Sequence, residues 1–232
     1  NLFVHSFYIK RKDMEKLLLS AEECRVLGSL IEKELTTPDY YPLTLNALQN
    51  ACNQKSNRNP VVDYDDKDII RVLDSLRSKK LVMMVGKSGS RVPKYQHQCR
   101  ESLFLPDPQI ALLACLLLRG PQTVGELKQR SERMYSFDSI EAVESTLTKM
   151  SEDESLPLTI KLPRQPGKRE NRYMHLLAGD PEISDEEEFN PMPETARSLV
   201  QDEEERWQRL EEKVQKLQEE LAALKEELGI GE

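Results

Sequence analysis

Apolar residues recur at helical spacing near the start of the chain, and each such segment begins with a recognisable capping residue. Ser20 and Glu23 have the spacing of a capping box, in which both side chains satisfy free amides of the first helical turn. Thr44 and Asp65 begin two further amphipathic segments. The apolar face of the first predicted helix consists of Cys24, Leu27, Ile31 and Leu35. The pattern therefore predicts three successive helices.

An apolar run and a return segment follow the third predicted helix. Residues 81–85 are Leu-Val-Met-Met-Val, and their apolar, partly β-branched content is typical of a strand. A polar loop with two glycines occupies residues 86–93, and residues 94–97 begin a return strand. Three helices followed by a β-hairpin is the order of a winged-helix domain, which we predict at residues 17–105.

The same order occurs a second time within residues 106–178. A nearly all-apolar helix comes first, Thr123 is predicted to cap a second helix, and Asp138 is predicted to cap a third. Residues 158–162 and 172–177 predict the two strands of another hairpin. The inner face of the third helix is predicted to consist of Ile140, Val143, Leu147 and Met150.

The predicted fold class is therefore mainly α with small antiparallel β-hairpins (α+β), arranged as two tandem winged-helix domains. We expect each domain to enclose its own small hydrophobic interior. Residues 1–16 are assigned to an N-terminal extension. Residues 179–193 are rich in acidic side chains and predict a solvated linker. Residues 194–230 have the composition of a helix.

The C-terminal helix carries apolar residues alternately three and four positions apart, which is typical of a coiled-coil seam. We interpret the seam as a homodimer contact, because the flanking pairs Arg206 with Glu211 and Glu220 with Lys225 would join opposite charges in a parallel pair. The alternative is a single helix that packs its apolar stripe on the globular part of its own chain. The seam consists of Trp207, Leu210, Val214, Leu217, Leu221, Leu224 and Leu228.

The formal net charge of -8 belongs to the C-terminal part of the chain. Residues 179–232 contain 18 acidic and 6 basic side chains, whereas residues 14–178 contain 22 acidic and 24 basic ones. The two repeats are therefore close to neutral, and the overall acidity does not exclude a nucleic-acid partner.

The chemistry-bearing residues form no catalytic or metal-binding motif. The 4 cysteines have neither CxxC nor disulfide-like spacing, so buried thiols in a reducing compartment are expected. His5, His97 and His175 are isolated, which predicts no metal site. Without a glycine-rich phosphate loop or a Ser/His/Asp arrangement, we predict a non-enzymatic protein with no cofactor. No apolar run reaches the ~20 residues of a membrane span and no signal peptide is evident, so a cytoplasmic location is predicted.

Basic residues near the two hairpin loops and in the turn before the third helix suggest contacts with DNA phosphates. In the second repeat the third helix carries Glu141 and Glu144, whose carboxylates would be repelled by phosphates. We therefore expect contact mainly through the loops, or wings. The candidate nucleic-acid-binding residues are Lys55, Arg58, Lys87, Arg91, Lys94, Arg164, Lys168, Arg169 and Arg172.

Two alternatives remain open at this point. Basic residues in loops are often solvated without any partner. In addition, acidic third helices together with a coiled coil would suit a protein–protein interaction scaffold.

Several long motifs are distinctive. They lie at residues 32–38, 41–43, 51–58, 117–120, 123–127, 133–135 and 166–175. Together they resemble the bacterial YceH family. The resemblance covers roughly residues 17–178 and both repeats. It implies two winged-helix domains and a cytoplasmic location, and the biochemical role of the family is uncharacterised.

Overall fold

The computed structural model describes residues 17–86, 92–153, 156–165 and 170–180, all of which belong to one compact unit. The predicted N-terminal extension and coiled-coil helix, and all of the acidic linker except its first two residues, lie outside the described residues.

The first half of the described chain contains four α-helices and three strands. Ser20 forms the predicted capping box, and Asp65 caps the third helix as predicted and also forms a capping box with Asp68. Thr44 accepts a hydrogen bond from the amide of Ala47 at 3.3 Å as the cap of the second helix. A 3-10 turn at Pro38–Tyr40 follows the first helix. The elements are α1 (Ala21–Thr36), β1 (Leu43–Thr44), α2 (Leu45–Cys52), α3 (Asp66–Ser78), β2 (Val82–Val85), β3 (Lys94–His97) and α4 (Cys99–Leu103).

The second half repeats most of this order. Thr123 forms the predicted capping box with Glu126. The third helix begins one residue later than predicted, because Ser139 rather than Asp138 caps it. Ile140 is therefore the first helical residue and is 50% exposed, so its predicted place on the inner face is wrong. The elements are α5 (Asp107–Arg119), β4 (Gln122–Thr123), α6 (Val124–Ser131), α7 (Ile140–Ser151), β5 (Thr159–Lys161) and β6 (Arg172–His175).

Each half contains a three-stranded antiparallel sheet. The strand orders are β1-β3-β2 and β4-β6-β5. Tyr95 lies opposite Leu43 on one side and Met84 on the other, and Tyr173 lies opposite Gln122 and Lys161 in the same way. The predicted hairpins are thus confirmed. The described residues give a mixed α/β structure with seven α-helices and two small sheets.

The hydrophobic residues of both halves form one continuous core. The buried cluster extends from Leu17 to Leu177 and includes side chains of α1 and α5, which pack against each other. Gly28 makes this approach possible, since a Cβ added there would lie 2.9 Å from Cγ of Leu118. The expectation that each half encloses its own interior is therefore wrong, because α1 and α5 pack against each other within one buried cluster.

Hydrogen bonds also join the two halves. The turn after α2 reaches α5, where the amide of Asn59 donates to the carbonyl of Leu118 at 2.9 Å. The beginning and the end of the described chain are joined as well, since the amide of Leu19 donates to the carbonyl of Leu177 at 2.7 Å. Because these bonds span both halves, we expect the described chain to unfold as one unit.

Candidate nucleic-acid interface

The first hairpin presents one of the candidate basic residues at the loop end of its sheet. Lys94 is the first residue of β3, lies opposite Val85 and Thr44, and is exposed. Lys87 and Arg91 lie in the connecting loop and outside the described residues. Lys94 therefore lies at the loop end of the first sheet.

The second hairpin is arranged in the same way. Arg164 is exposed and follows β5, and Arg172 is half-buried as the first residue of β6, opposite Thr123. Lys168 and Arg169 lie outside the described residues. The antiparallel pairing thus places Arg164 and Arg172 at the same end of the second sheet.

A lysine that sequence reasoning missed also lies on the second hairpin. The Nζ atom of Lys161 is 3.3 Å from Oε1 of Glu144 on α7 and 5.6 Å from the centre of the Tyr173 ring. Its contact with Tyr173, which has the larger effect, and its contact with Glu144 raise the pKa of Lys161. Lys161 and Tyr173 are cross-strand partners, and this register becomes visible only in the fold. The pair offsets one acidic charge on α7.

Both arginines of α3 form ion pairs with carboxylates. Arg71 is largely exposed and lies 3.5 Å from both Glu22 and Asp68. Arg77 lies 3.0 Å from Asp74, one turn earlier on the helix. Exposed pairs of this kind contribute roughly 0–1 kcal/mol and exchange readily with water. They nevertheless leave the solvent-facing side of α3 with little surplus positive charge.

The two candidate residues in the turn before α3 differ in exposure. Lys55 is exposed, as a phosphate contact requires. The side chain of Arg58 is 0% exposed and lies 2.5 Å from Glu32. It also donates to the carbonyl of Ala51 at 2.9 Å and to Gln54 at 2.8 Å.

The predicted phosphate contact of Arg58 is therefore wrong in this structure, because its guanidinium is enclosed and already satisfied. A sequence pattern could not distinguish it from its solvated neighbours.

The four cysteines and the two described histidines, His97 and His175, are buried. All four thiols are buried, as expected, and burial raises the pKa of Cys24 to about 12 and that of Cys52 to about 11. His97 lies 2.9 Å from Glu34, and burial lowers the pKa of His175 to about 4. Within the described ranges, no three His, Cys, Asp or Glu side chains are grouped so as to hold a metal ion.

Two repeats, each with helices packed on a three-stranded sheet, define the class of this protein. A family model described as "Protein of unknown function, DUF480" matches residues 19–168. The chain therefore belongs to that family, which confirms the predicted membership of an uncharacterised bacterial family.

Relatives from several bacteria align with most of the chain, and each is called a UPF0502 protein. The relative from Geotalea daltonii is 54% identical over 188 residues, which cover 81% of this chain and 84% of the relative. The one from Geobacter sulfurreducens is 52% identical over 191 residues, or 82% and 86% of the two chains. The one from Opitutus terrae is 46% identical over 187 residues, or 81% of each.

No helix in the described part of the chain has both the length and the apolar character needed to cross a bilayer.

Proposed function

We propose that this chain is a non-enzymatic tandem winged-helix protein that binds double-stranded DNA in the cytoplasm, mainly through its two basic wings. The observation that carries the proposal is the position of Lys94, Arg164 and Arg172 at the loop ends of the two sheets. Lysines and arginines in such loops contact the phosphate backbone in winged-helix proteins.

The wings, rather than the third helices, are the proposed contact. Arg71 and Arg77 on α3 already have carboxylate partners, and α7 exposes Glu141 and Glu144. A helix that enters the major groove must approach phosphates, which repel carboxylates. We therefore propose binding that depends strongly on salt and weakly on base sequence.

We further propose that the chain forms a homodimer through its C-terminal helix. The seam lies outside the described residues, so the proposal depends on the heptad spacing of Leu210, Leu217, Leu224 and their neighbours. A dimer would present four wings to one duplex. Binding of a second pair of wings becomes intramolecular once the first pair is bound, so the overall affinity rises.

A protein–protein interaction scaffold is the second candidate function. The pairing of the α3 arginines with carboxylates favours it, since it leaves α3 with little positive charge for a phosphate backbone.

Charge reversal in one wing tests the DNA proposal. Arg164→Glu combined with Arg169→Glu is expected to weaken binding to a duplex of about 25 base pairs and to reduce the salt slope by roughly 2. The control, Lys67→Glu with Arg71→Glu on α3, changes the net charge by the same amount. A smaller loss of DNA affinity for the control variant supports contact through the wings. Equal losses would show that only net charge matters, and no binding by the unaltered chain would favour the scaffold.

A further inference from the structure

Arginines gather where the turn after α2 meets the C-terminal end of α5. Two of them have carboxylate partners, since Arg58 pairs with Glu32 at 2.5 Å and Arg130 pairs with Glu126 at 3.2 Å. The group consists of Arg25, Arg58, Arg119 and Arg130. Four positive charges therefore face two negative ones.

Three of these arginines donate hydrogen bonds to Asn57 or Gln122. The backbone carbonyl of Asn57 accepts from Nη1 of Arg58 at 2.9 Å, and its side-chain Oδ1 accepts from Nη2 of Arg119 at 2.6 Å. Arg130 donates to Oε1 of Gln122 at 2.9 Å. The amide nitrogen of Gln122 donates in turn to the carbonyl of Gly120, the residue after Arg119, at 3.3 Å.

Arg119 is the member of the group whose charge is least offset by its described contacts. Among the described contacts its guanidinium uses only Nη2, and the acceptor is the neutral amide of Asn57. Burial has the largest effect on Arg119 and lowers its pKa. The charges of Arg130 and Arg58 lower this pKa further, whereas Cys115 and Glu32 raise it. Arginine stays protonated under such conditions, so the surplus positive charge remains.

The surplus positive charge of the group is partly accessible to a ligand. Arg119 is half-buried and the side chain of Arg130 is 36% exposed, whereas Arg25 and Arg58 are buried behind them. Water screens buried charges poorly, so Arg58 raises the positive potential at Arg119, and Glu32 offsets part of this effect.

We propose that Arg119 and Arg130, supported by Arg58, form a phosphate-binding site at the junction of the two halves. A planar guanidinium with free N–H groups suits the oxygens of a phosphate, and both outer arginines are held in place by helices and by Asn57 and Gln122. The phosphate comes from the DNA backbone or from a free phosphorylated molecule. The first source deepens the proposed function and rests on it, whereas the second does not.

Inorganic pyrophosphate is the probe for the site itself. Added to the full-length chain, it is expected to raise the melting temperature in a saturable way, beyond the effect of sodium chloride at equal ionic strength. Arg119→Gln is expected to weaken pyrophosphate binding at least about tenfold, and Arg119→Lys should retain part of it. Arg77→Gln, which removes an arginine paired with Asp74 on α3, is the matched control and should leave the response unchanged.

Duplex DNA distinguishes the two sources of phosphate. If the backbone supplies it, Arg119→Gln with Arg130→Gln should lower the salt slope of DNA binding by roughly 2 while the wings are intact. If pyrophosphate binding depends on Arg119 but the chain binds no DNA, the site stands and the proposed function fails. If neither probe responds to Arg119→Gln or Arg130→Gln in variants that keep the native melting transition, the inference is overturned, whatever the wings do.

Discussion

Gly28 in α1 lies directly against Leu118 in α5, so closely that an added Cβ would be 2.9 Å from the leucine Cγ. The same Cβ would lie 3.1 Å from Cβ of Leu117. The backbone of one helix thus packs against the side chains of the other. This contact joins the two repeats into one hydrophobic core.

Gly28→Ala is therefore expected to destabilise the protein although alanine favours helices more than glycine does. Overpacking a tight contact typically costs about 1–3 kcal/mol, which exceeds the ~1 kcal/mol gained in helix propensity. Gly125→Ala in α6 is the matched control, because nothing lies within 4 Å of its added Cβ. Urea unfolding at equilibrium measures both. Equal stabilisation by the two substitutions would show that the α1–α5 contact is loose.

The buried ion pair of Arg58 supports a second prediction. Arg58→Ala leaves Glu32, whose side chain is 14% exposed, without its partner, and breaking a buried pair in this way costs about 3–5 kcal/mol. Lys55→Ala, three residues earlier and exposed, is expected to change stability by no more than about 0.5 kcal/mol. Thermal unfolding compares the two variants. Similar melting temperatures would contradict a structural role for Arg58.

Local features of this fold were predictable from the sequence, whereas contacts between distant segments were not. The capping boxes at Ser20, Asp65 and Thr123 need only a polar residue and an acceptor three positions later. The two-residue strands β1 and β4 are too short to show an alternating pattern.

The candidate interface shows the same limit. Spacing predicted which basic residues lie near the hairpin loops, and Lys94 and Arg164 are indeed exposed there. It could not predict that Arg58 is enclosed by Glu32 and the carbonyl of Ala51, because both partners come from other elements of the fold. Gly28 was likewise inconspicuous, since its role depends on α5, about 90 residues later.

Acid stability provides a third prediction. Burial alone would raise the pKa of Glu34, but hydrogen bonds from His97 and Arg100 outweigh it and lower the pKa to about 2 from its ordinary 4.5. A carboxyl with a lowered pKa in the folded state stabilises the fold above pH 4.5, and this contribution is lost as the pH falls towards 2.

Glu34→Gln is therefore expected to be less stable at neutral pH by about 2 kcal/mol and to lose less stability between pH 5 and pH 2. Urea unfolding across that range is the measurement. A variant whose stability changes with pH in parallel with the unaltered chain would show that Glu34 keeps an ordinary pKa.

The heptad seam makes a fourth prediction. Replacing Leu217 and Leu224 by aspartate places charges at two seam positions and is expected to abolish self-association, because a coiled coil depends on apolar residues there. Glu219→Asp with Glu226→Asp, two residues after each leucine, leaves the seam apolar and is the control. Sedimentation equilibrium at micromolar concentration gives the mass of each chain. A monomer for the unaltered protein would remove the dimer from the account.

The salt dependence of duplex DNA binding tests the proposed function most directly. Fluorescence anisotropy of the intact chain with a labelled duplex of about 25 base pairs, between about 50 and 200 mM sodium chloride, measures the affinity at each salt concentration. Wings that contact five or more phosphates predict a linear fall of log K with log salt and a slope of roughly −4 or steeper. No binding at about 50 mM salt, or an affinity that does not change with salt, would contradict the account.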